Sequence, residues 1–452
     1  MPAASRGAIR RGAQRRPPLA PGSLGVRLRA LLWDPLSYVR RLAETREKML
    51  WLRLPGGGFY VLQDLEVIDE VLVKHHRSFV KDSYTHRLRE LLGNGLVTAE
   101  GPPWRRQRRL IQPAFHRKRI VGYADEMTGL AEAMVEGWGE SEVRDVHRDL
   151  MGLTLEIVAK SLFGADVTGS TKAVGVAIDL VMQRHAGILL PLWLPTPMNR
   201  RVQASIDEVT SLIDGIIRER RRGAVDSGRE RSDLLSLLFE AEDEDGGRMD
   251  DRQIRDECIT LFLAGHETTA LTLSYTLFLL AQRPDLQDML AAEIEAVVGD
   301  RPAGFADVPE LHGFDRVIKE SMRLYPPAWS IGRRAIEEVE LGGYRLPKGG
   351  EVAIFMWALH RDPDRFPEPE AFRPERWTPE FERALPRHAY MPFGGGPRSC
   401  IGKAFANIEA VLVLVAILRR YRLRLAQSPR LRLKASITMR PRDGVRLRLR
   451  AR

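Results

Sequence analysis

The chain is predicted to be mainly α-helical with small β-sheets, folded as a single large domain. Three observations carry that prediction. Apolar residues recur at helical spacing over long stretches of the middle of the chain. Short alternating runs bounded by glycine or proline are confined to its two ends. Across 452 residues no linker divides the chain after its first two dozen positions, although the length alone allows roughly two or three domains.

The elements follow in order. Met1 to Arg16 carries Arg6, Arg10, Arg11, Arg15 and Arg16 without an acidic residue. It leads into Pro17-Pro18-Leu19-Ala20-Pro21-Gly22, so residues 1–22 read as a disordered basic tail and 23–452 as the folded domain. No stretch nearby has the roughly 20 consecutive apolar residues of a membrane span. Arg27 and Arg29 break the run from Gly25 to Trp33, which removes the apolar centre of a signal peptide. No integral membrane anchor is expected. Trp51 to Leu54, Gly56-Gly57-Gly58 and Phe59 to Leu62 read as strand, turn and strand.

Helices are predicted over 120–137, 150–163, 174–186, 202–222, 234–241 and 253–281. The last is unusually long, holds Gly265 near its middle and stops before Pro284. Residues 240–251 form an acidic loop. Segments 338–346 and 351–356, parted by Pro347-Lys348-Gly349-Gly350, suggest a second compact sheet. Arg446-Leu447-Arg448-Leu449-Arg450 has the period of a half-buried strand, not of a nucleic-acid stripe, and no nucleic-acid partner is expected.

Hydrophobic and charged fractions of 44% and 29% are those of an ordinary globular protein. The two cysteines, Cys258 and Cys400, cannot build a disulfide framework or a four-cysteine metal site, and they suit a reducing cytoplasm.

The most informative run is Phe393-Gly394-Gly395-Gly396-Pro397-Arg398-Ser399-Cys400-Ile401-Gly402. A cysteine follows a glycine loop and an arginine and precedes a largely apolar helix from Ala404 to Leu418. A thiol at a helix N-terminus meets unpaired N–H groups and the positive dipole end, which favours its thiolate. An arginine two residues earlier can neutralise an anionic cofactor edge. Together they suit one axial thiolate on a haem iron. A P-loop is excluded, because Ala404 follows Lys403 and Pro397 stands where a glycine would be needed.

Position for position, this run resembles the cysteine loop of the cytochrome P-450 haem-thiolate monooxygenases. The resemblance covers 23–452 and implies haem b (iron protoporphyrin IX) with Cys400 as the iron's axial ligand and Phe393 packed beside the sulfur. Ala264-Gly265-His266-Glu267-Thr268-Thr269 excludes a zincin, since position 270 is alanine. Its small residues let a flat ligand approach, and a threonine hydroxyl can bond the preceding turn. The segment is similar to the family's oxygen-binding motif, which implies that Thr268 and Glu267 handle proton delivery.

Glu320 and Arg323 share a helix face and by themselves read as a surface pair. With Phe372 to Trp377 the resemblance implies instead a buried Glu320–Arg323–Arg376 cluster that fixes the cysteine loop. Trp104 and Arg108, on one face of a basic helix, look like the family's propionate clamp, with Arg398 and Arg333 as further candidates. Arg105, Arg106 and Arg109 are expected to face solvent or a redox partner. Many soluble bacterial members carry histidine where this chain has Trp104 and Arg398; the motif set is closer to the fatty-acid-hydroxylating and eukaryote-like branch.

The resemblance therefore implies a monomeric cytoplasmic monooxygenase. It would insert one oxygen atom of O2 into a small hydrophobic substrate by hydroxylation or epoxidation. Fatty acids, terpenes, steroids and polyketides all remain open. Electrons would come from a ferredoxin or flavodoxin with its NAD(P)H-dependent reductase. The net charge of +10 fits either a solvated arginine-rich surface or a basic docking face for an acidic donor. The alternatives are a haem-thiolate isomerase, dehydratase or peroxygenase, or a haem sensor. Expected substrate contacts lie around 84–98, 178–192, 329–331 and 435–438.

Overall fold

The computed structural model describes residues 16–165, 180, 192–227, 233–242 and 246–452. Its first helices are α1 (Leu24–Trp33) and α2 (Pro35–Ala43). Asp34 separates them: its carboxylate accepts the Ser37 N–H at 3.2 Å, and Pro35 supplies a first residue with no N–H to satisfy. Strand β1 (Met49–Leu54) pairs antiparallel with β2 (Gly57–Leu62). The turn between them is Pro55-Gly56, not the three glycines. Gly58 already sits in β2 with a φ of +143°, where a Cβ would lie 2.3 Å from the Leu52 carbonyl oxygen.

The basic tail ends earlier than the sequence suggested. Residues 1–15 lie outside the described residues. The Trp51 N–H donates to the Pro18 carbonyl (2.8 Å) and the Ala20 N–H to the Trp51 carbonyl (2.9 Å). Residues 18–20 thus run along β1 and bury Ala20. Prolines that lack an N–H can still accept on a sheet edge, so a proline-rich run is no bar to pairing there.

The larger helices are α3 (Gly101–Ile111), α4 (Arg117–Glu136), α5 (Val146–Phe163), α6 (Pro197–Ser227), α7 (Leu234–Glu240), α8 (Asp251–Leu280), α9 (Pro284–Val297), α10 (His312–Leu324) and α11 (Lys403–Arg420). Five of the six expected helices lie within a few residues of these bounds. The sixth, 174–186, falls outside the described residues apart from 180. Asp250 caps α8 by accepting the Gln253 N–H at 2.7 Å.

Helix α8 packs on α5 and α11, α11 on α4, and α4 on α5, which closes a four-helix core. Phe262, Leu273, Leu277, Ile157, Met127, Val413 and Ile417 meet inside it, all buried. Each such side chain contributes about 1.5–3 kcal/mol by leaving water. Gly265 matters here, because a Cβ on it would press to 3.0 Å from Val158 Cγ2 of α5. Its bareness lets α8 and α5 pack closely.

The sheets are small. β1, β2, β8 (Glu351–Ile354), β5 (Ile331–Ala335) and β3 (Phe79–Val80) form one in that order. β4 (Val143–Asp145), β12 (Arg446–Ala451) and β9 (Tyr421–Leu425) form another. The strands β6 (Val339–Leu341) and β7 (Tyr344–Leu346), and β10 (Leu433–Ala435) and β11 (Met439–Pro441), are separate hairpins. The expected second sheet is therefore split. Its 338–346 half makes a hairpin of its own, while 351–354 joins β2 in parallel and β5 antiparallel. In β12 Leu447 and Leu449 are buried between exposed arginines, as the alternation predicted.

Candidate active site

Between α8 and the loop that precedes α11 lies a cavity of about 440 Å³. Cys400 lies within its lining, and the accessible surface of its thiol opens there. The preceding loop is shaped by glycine. Gly394 and Gly396 hold φ values of +74° and +69°, and a Cβ at Gly396 would fall 2.0 Å from the Leu72 carbonyl oxygen. The loop closes on itself where the Cys400 N–H donates to the Phe393 carbonyl at 2.9 Å. Phe393 lines the cavity, and the Lys403 ammonium stands 5.8 Å from its ring centroid.

The thiol's environment is less favourable to a thiolate than its place before a helix suggested. Burial pushes the Cys400 thiol up, by more than the Gly402 N–H, Arg108 and Lys403 pull it down. A bound metal cation would supply the missing charge and deprotonate the thiol outright.

Trp104, Arg108, Arg333 and Arg398 all line this cavity. Arg108 Nη1 donates to the Ser399 carbonyl (2.8 Å), which ties α3 to the cysteine loop. Arg398 donates to the Ala99 carbonyl (3.0 Å), pairs with Glu100, and lays its guanidinium over Trp104. Lys81, which the sequence did not single out, joins them. Burial and then the charges of Arg333 and Arg398 push its amine down to about 7. Burial and Arg398 likewise push Arg333 down to about 10. Three arginines and the partly ionised Lys81 thus share Asp82 and Glu100, so positive charge exceeds negative.

That imbalance fits a flat ligand with two carboxylates and apolar faces, as haem is. The donor set agrees. Among the described residues no group of three or more His, Cys, Asp or Glu could hold a bare metal ion. A single thiol therefore suits a metal that brings its own macrocycle.

Across the cavity stands α8. Ala264, Gly265, Thr268 and Thr269 line it with Leu261 and Thr260. Thr268 Oγ1 donates to the Ala264 carbonyl at 2.9 Å and Thr269 Oγ1 to the Gly265 carbonyl at 3.0 Å, so both hydroxyls bond the preceding turn. Glu267 is next in sequence but turns away from the cavity. Its Oε1 accepts from Thr438 Oγ1 and Arg440 Nε, each at 2.5 Å. Burial would raise its carboxyl, yet Arg440's charge and these bonds hold it below the usual range.

Glu320, Arg323 and Arg376 do come together, and not as a surface pair. Glu320 and Arg323 are fully buried. Glu320 accepts from Arg323 (2.8 and 2.9 Å), Arg376 (3.1 Å), the Trp377 indole (2.9 Å) and the Arg373 N–H (3.0 Å). Arg323 spends its other donors on the carbonyls of His360, Pro369 and Ala371. Of the three other arginines of α3, Arg105 and Arg109 are exposed. Arg106 departs from expectation: it donates to Gln253 and to the carbonyls of Gly247 and Arg248 at the start of α8.

The remaining lining is mainly apolar: Leu88, Leu96, Val97, Val158, Leu162, Pro327, Ala328, Ile331 and Ile437. It draws on the expected regions 84–98, 329–331 and 435–438, while 178–192 lies almost wholly outside the described residues. No helix among the described residues is long and apolar enough to cross a membrane.

The chain is similar over most of its length to known proteins. A sequence profile of one family, described as Cytochrome P450, matches residues 25–447. A protein named cyclooctatin synthase, from Streptomyces melanosporofaciens, is 39% identical over 417 residues, 90% of either chain. Pentalenene oxygenase of Streptomyces avermitilis is 34% identical and covers 96% of this chain and 97% of its own. Among solved structures, a cytochrome P450DA heme domain superposes with a TM-score of 0.87 at 31% identity, covering 97% of this chain and 98% of that one.

Proposed function

This chain belongs to the cytochrome P450 family, and we propose that within it the chain oxygenates a terpenoid, with haem b held by Cys400. It is a haem-dependent monooxygenase that takes O2, an organic substrate and electrons from a redox partner. The observation that carries the residue assignment is the Cys400 thiol in the lining of a largely apolar cavity that also holds Lys81, Arg108, Arg333 and Arg398. The terpenoid substrate is supported by that apolar lining and by the names of the bacterial relatives.

When bound, the haem supplies the centre at which O2 is activated and one oxygen atom passes to the substrate. The chain's own residues do the rest. Lys81, Arg108, Arg333 and Arg398 would neutralise the two carboxylates, with Trp104 stacked on Arg398 to keep that guanidinium in place. Glu320, Arg323 and Arg376 form a rigid support for the segment leading to Cys400. Ala264, a small residue in the cavity lining, would leave room for a flat ligand. Thr268 holds a hydroxyl at the cavity wall, its own proton given to the Ala264 carbonyl, and its oxygen would accept from a water that carries protons into the cavity. Glu267 can feed that hydroxyl only by leaving Arg440, so its part is indirect.

The electron donor is a ferredoxin or flavodoxin with an acidic face. Its support is a shallow recess of about 500 Å³ lined by Arg105, Arg109, His116 and Pro397, which shares Trp104 and Arg108 with the inner cavity. The two cysteines, one buried in α8 and one in the cavity, suit a reducing cytoplasm. The chain would work as a monomer. The test is NAD(P)H-dependent oxygenation of pentalenene and related terpene olefins with a surrogate ferredoxin and reductase. Oxygenated product with isotope from labelled O2 supports the reading; isomerised or dehydrated product, or turnover only with peroxide, contradicts it.

A further inference from the structure

One wall of the cavity is the loop 93–98, just ahead of α3. Leu96 and Val97 face the cavity from it, as Thr260, Leu261 and Ala264 do from α8. One turn before Thr260, α8 carries two successive buried acids, Asp256 and Glu257. The Asn94 N–H donates to Asp256 Oδ2 and the Leu96 N–H to Glu257 Oε2, both at 2.8 Å. The loop's carbonyls are held from the other side. Gln107 Nε2 donates to the Asn94 carbonyl (2.7 Å), the Thr98 hydroxyl to the Gly93 carbonyl (2.7 Å) and Arg89 to the Thr98 carbonyl (3.0 Å).

The fit leaves no slack. Gly93 has a φ of +55°, and a Cβ there would lie 2.2 Å from Asp256 Cγ. A Cβ at Gly95 would lie 2.1 Å from Thr260 Oγ1. Glu257 is a costly residue to bury for a helix that already has an apolar core. Burial, with Asp256 adding to it, pushes its carboxyl up to about 8, against the pull of the Leu96 N–H. Burial thus favours its uncharged form, in which Oε2 still accepts from the Leu96 N–H.

We infer that Asp256 and Glu257 are positioning residues of the reaction: they lock the 93–98 loop onto α8 and so fix the wall against which a substrate rests. This rests on the cavity being the substrate pocket. The acids themselves touch neither Cys400 nor the cation cluster, so the first effect of losing them falls on the loop.

The haem-loaded full chain and its Glu257→Leu and Glu257→Gln variants test this. Glutamine keeps a neutral acceptor and should behave as the parent. Leucine removes it. In Glu257→Leu, amide exchange at Leu96 should speed by about tenfold or more. Affinity for phenylimidazole, whose ring extends beyond the iron, should fall about fivefold, the size of one neutral hydrogen bond. Affinity for imidazole alone, and the thiolate-type spectrum of the reduced CO complex, should not move. Should Glu257→Leu fail to fold, Asp256→Ala carries the same readouts through the Asn94 N–H. Parental exchange rates and an unchanged ratio of the two affinities would overturn the inference while leaving the monooxygenase intact. A missing thiolate spectrum in the parent would remove the functional reading, and amide exchange would still judge the clamp.

Discussion

The Arg398 guanidinium lies over the indole of Trp104, its carbon 4.4 Å from the ring centroid. The contact joins the cysteine loop to α3 across nearly three hundred residues of sequence. It also holds a half-buried arginine in place at a site where positive charge exceeds negative. Stacking and the Ala99 carbonyl hold Arg398 in place, and Glu100 takes part of its charge. Substitution of Trp104 by alanine should therefore loosen Arg398 and speed haem loss to an acceptor globin, with the Cys400 thiolate spectrum initially intact.

Lys81 gives a pH signature. Without haem its folded-state value, about 7, lies below the ordinary lysine value of 10.5, burial and the charges of Arg333 and Arg398 outweighing Glu100 and Asp82. Between those values the unfolded chain binds the proton and the folded apo-protein does not, so apo-protein stability should rise with pH across that window. Haem carboxylates would restore the charge and flatten the slope. Denaturant melts of the apo- and haem-loaded forms at the two ends of the window check this, with Lys81→Met taking that proton's share out of the apo slope.

Glu320→Ala should be severely destabilising. It leaves Arg323 buried with no carboxylate, and the loss of one member of a buried ionic cluster costs about 3–5 kcal/mol. Unfolding midpoints and haem retention should fall together, since the same carboxylate holds the Arg373 N–H and the Trp377 indole. A loss of under about 1 kcal/mol would make the cluster no more than a surface pair.

Thr268→Ala should bind haem and substrate but divert reducing equivalents to hydrogen peroxide. The hydroxyl that lines the cavity is lost, while Thr269 one position on still bonds the Gly265 carbonyl and keeps the helix. The ratio of product formed to NAD(P)H consumed measures it. An unchanged ratio would pass the role to Thr269.

Much of the site was legible in sequence because its signals are local. The cysteine loop needs glycines at fixed offsets from Cys400, and Ala264 to Thr269 occupy adjacent turns of one helix. Lys81 was not legible. It leaves a two-residue strand, and only the pairing of β3 with β5 brings it near Arg333. The orientation of Glu267 was hidden for the same reason, since Arg440 arrives from a hairpin 173 residues later. Gly265 was read as room for a ligand, whereas its missing side chain also admits Val158 of α5. The second sheet was misjudged because proximity in sequence does not decide which strand edge is free.

Electron transfer should slow as salt rises, because exposed charges are screened over about 8 Å at physiological ionic strength. Charge reversal at Arg105 and Lys403, both exposed, should weaken an acidic donor without releasing haem. Arg106 should be spared from that experiment, being tied to the start of α8. Reduction rates that stay flat with salt would mean the basic balance is only a solvated surface.

The central claim, a haem held by the Cys400 thiolate, is tested most directly by the absorption spectrum of the reduced CO complex in the parent and in Cys400→Ala. The parent should give the band of a thiolate-ligated haem and the variant should lose it, since Cys258, the chain's other thiol, is buried in α8. A thiolate band that survives in Cys400→Ala, or one absent from the haem-loaded parent, would contradict the account.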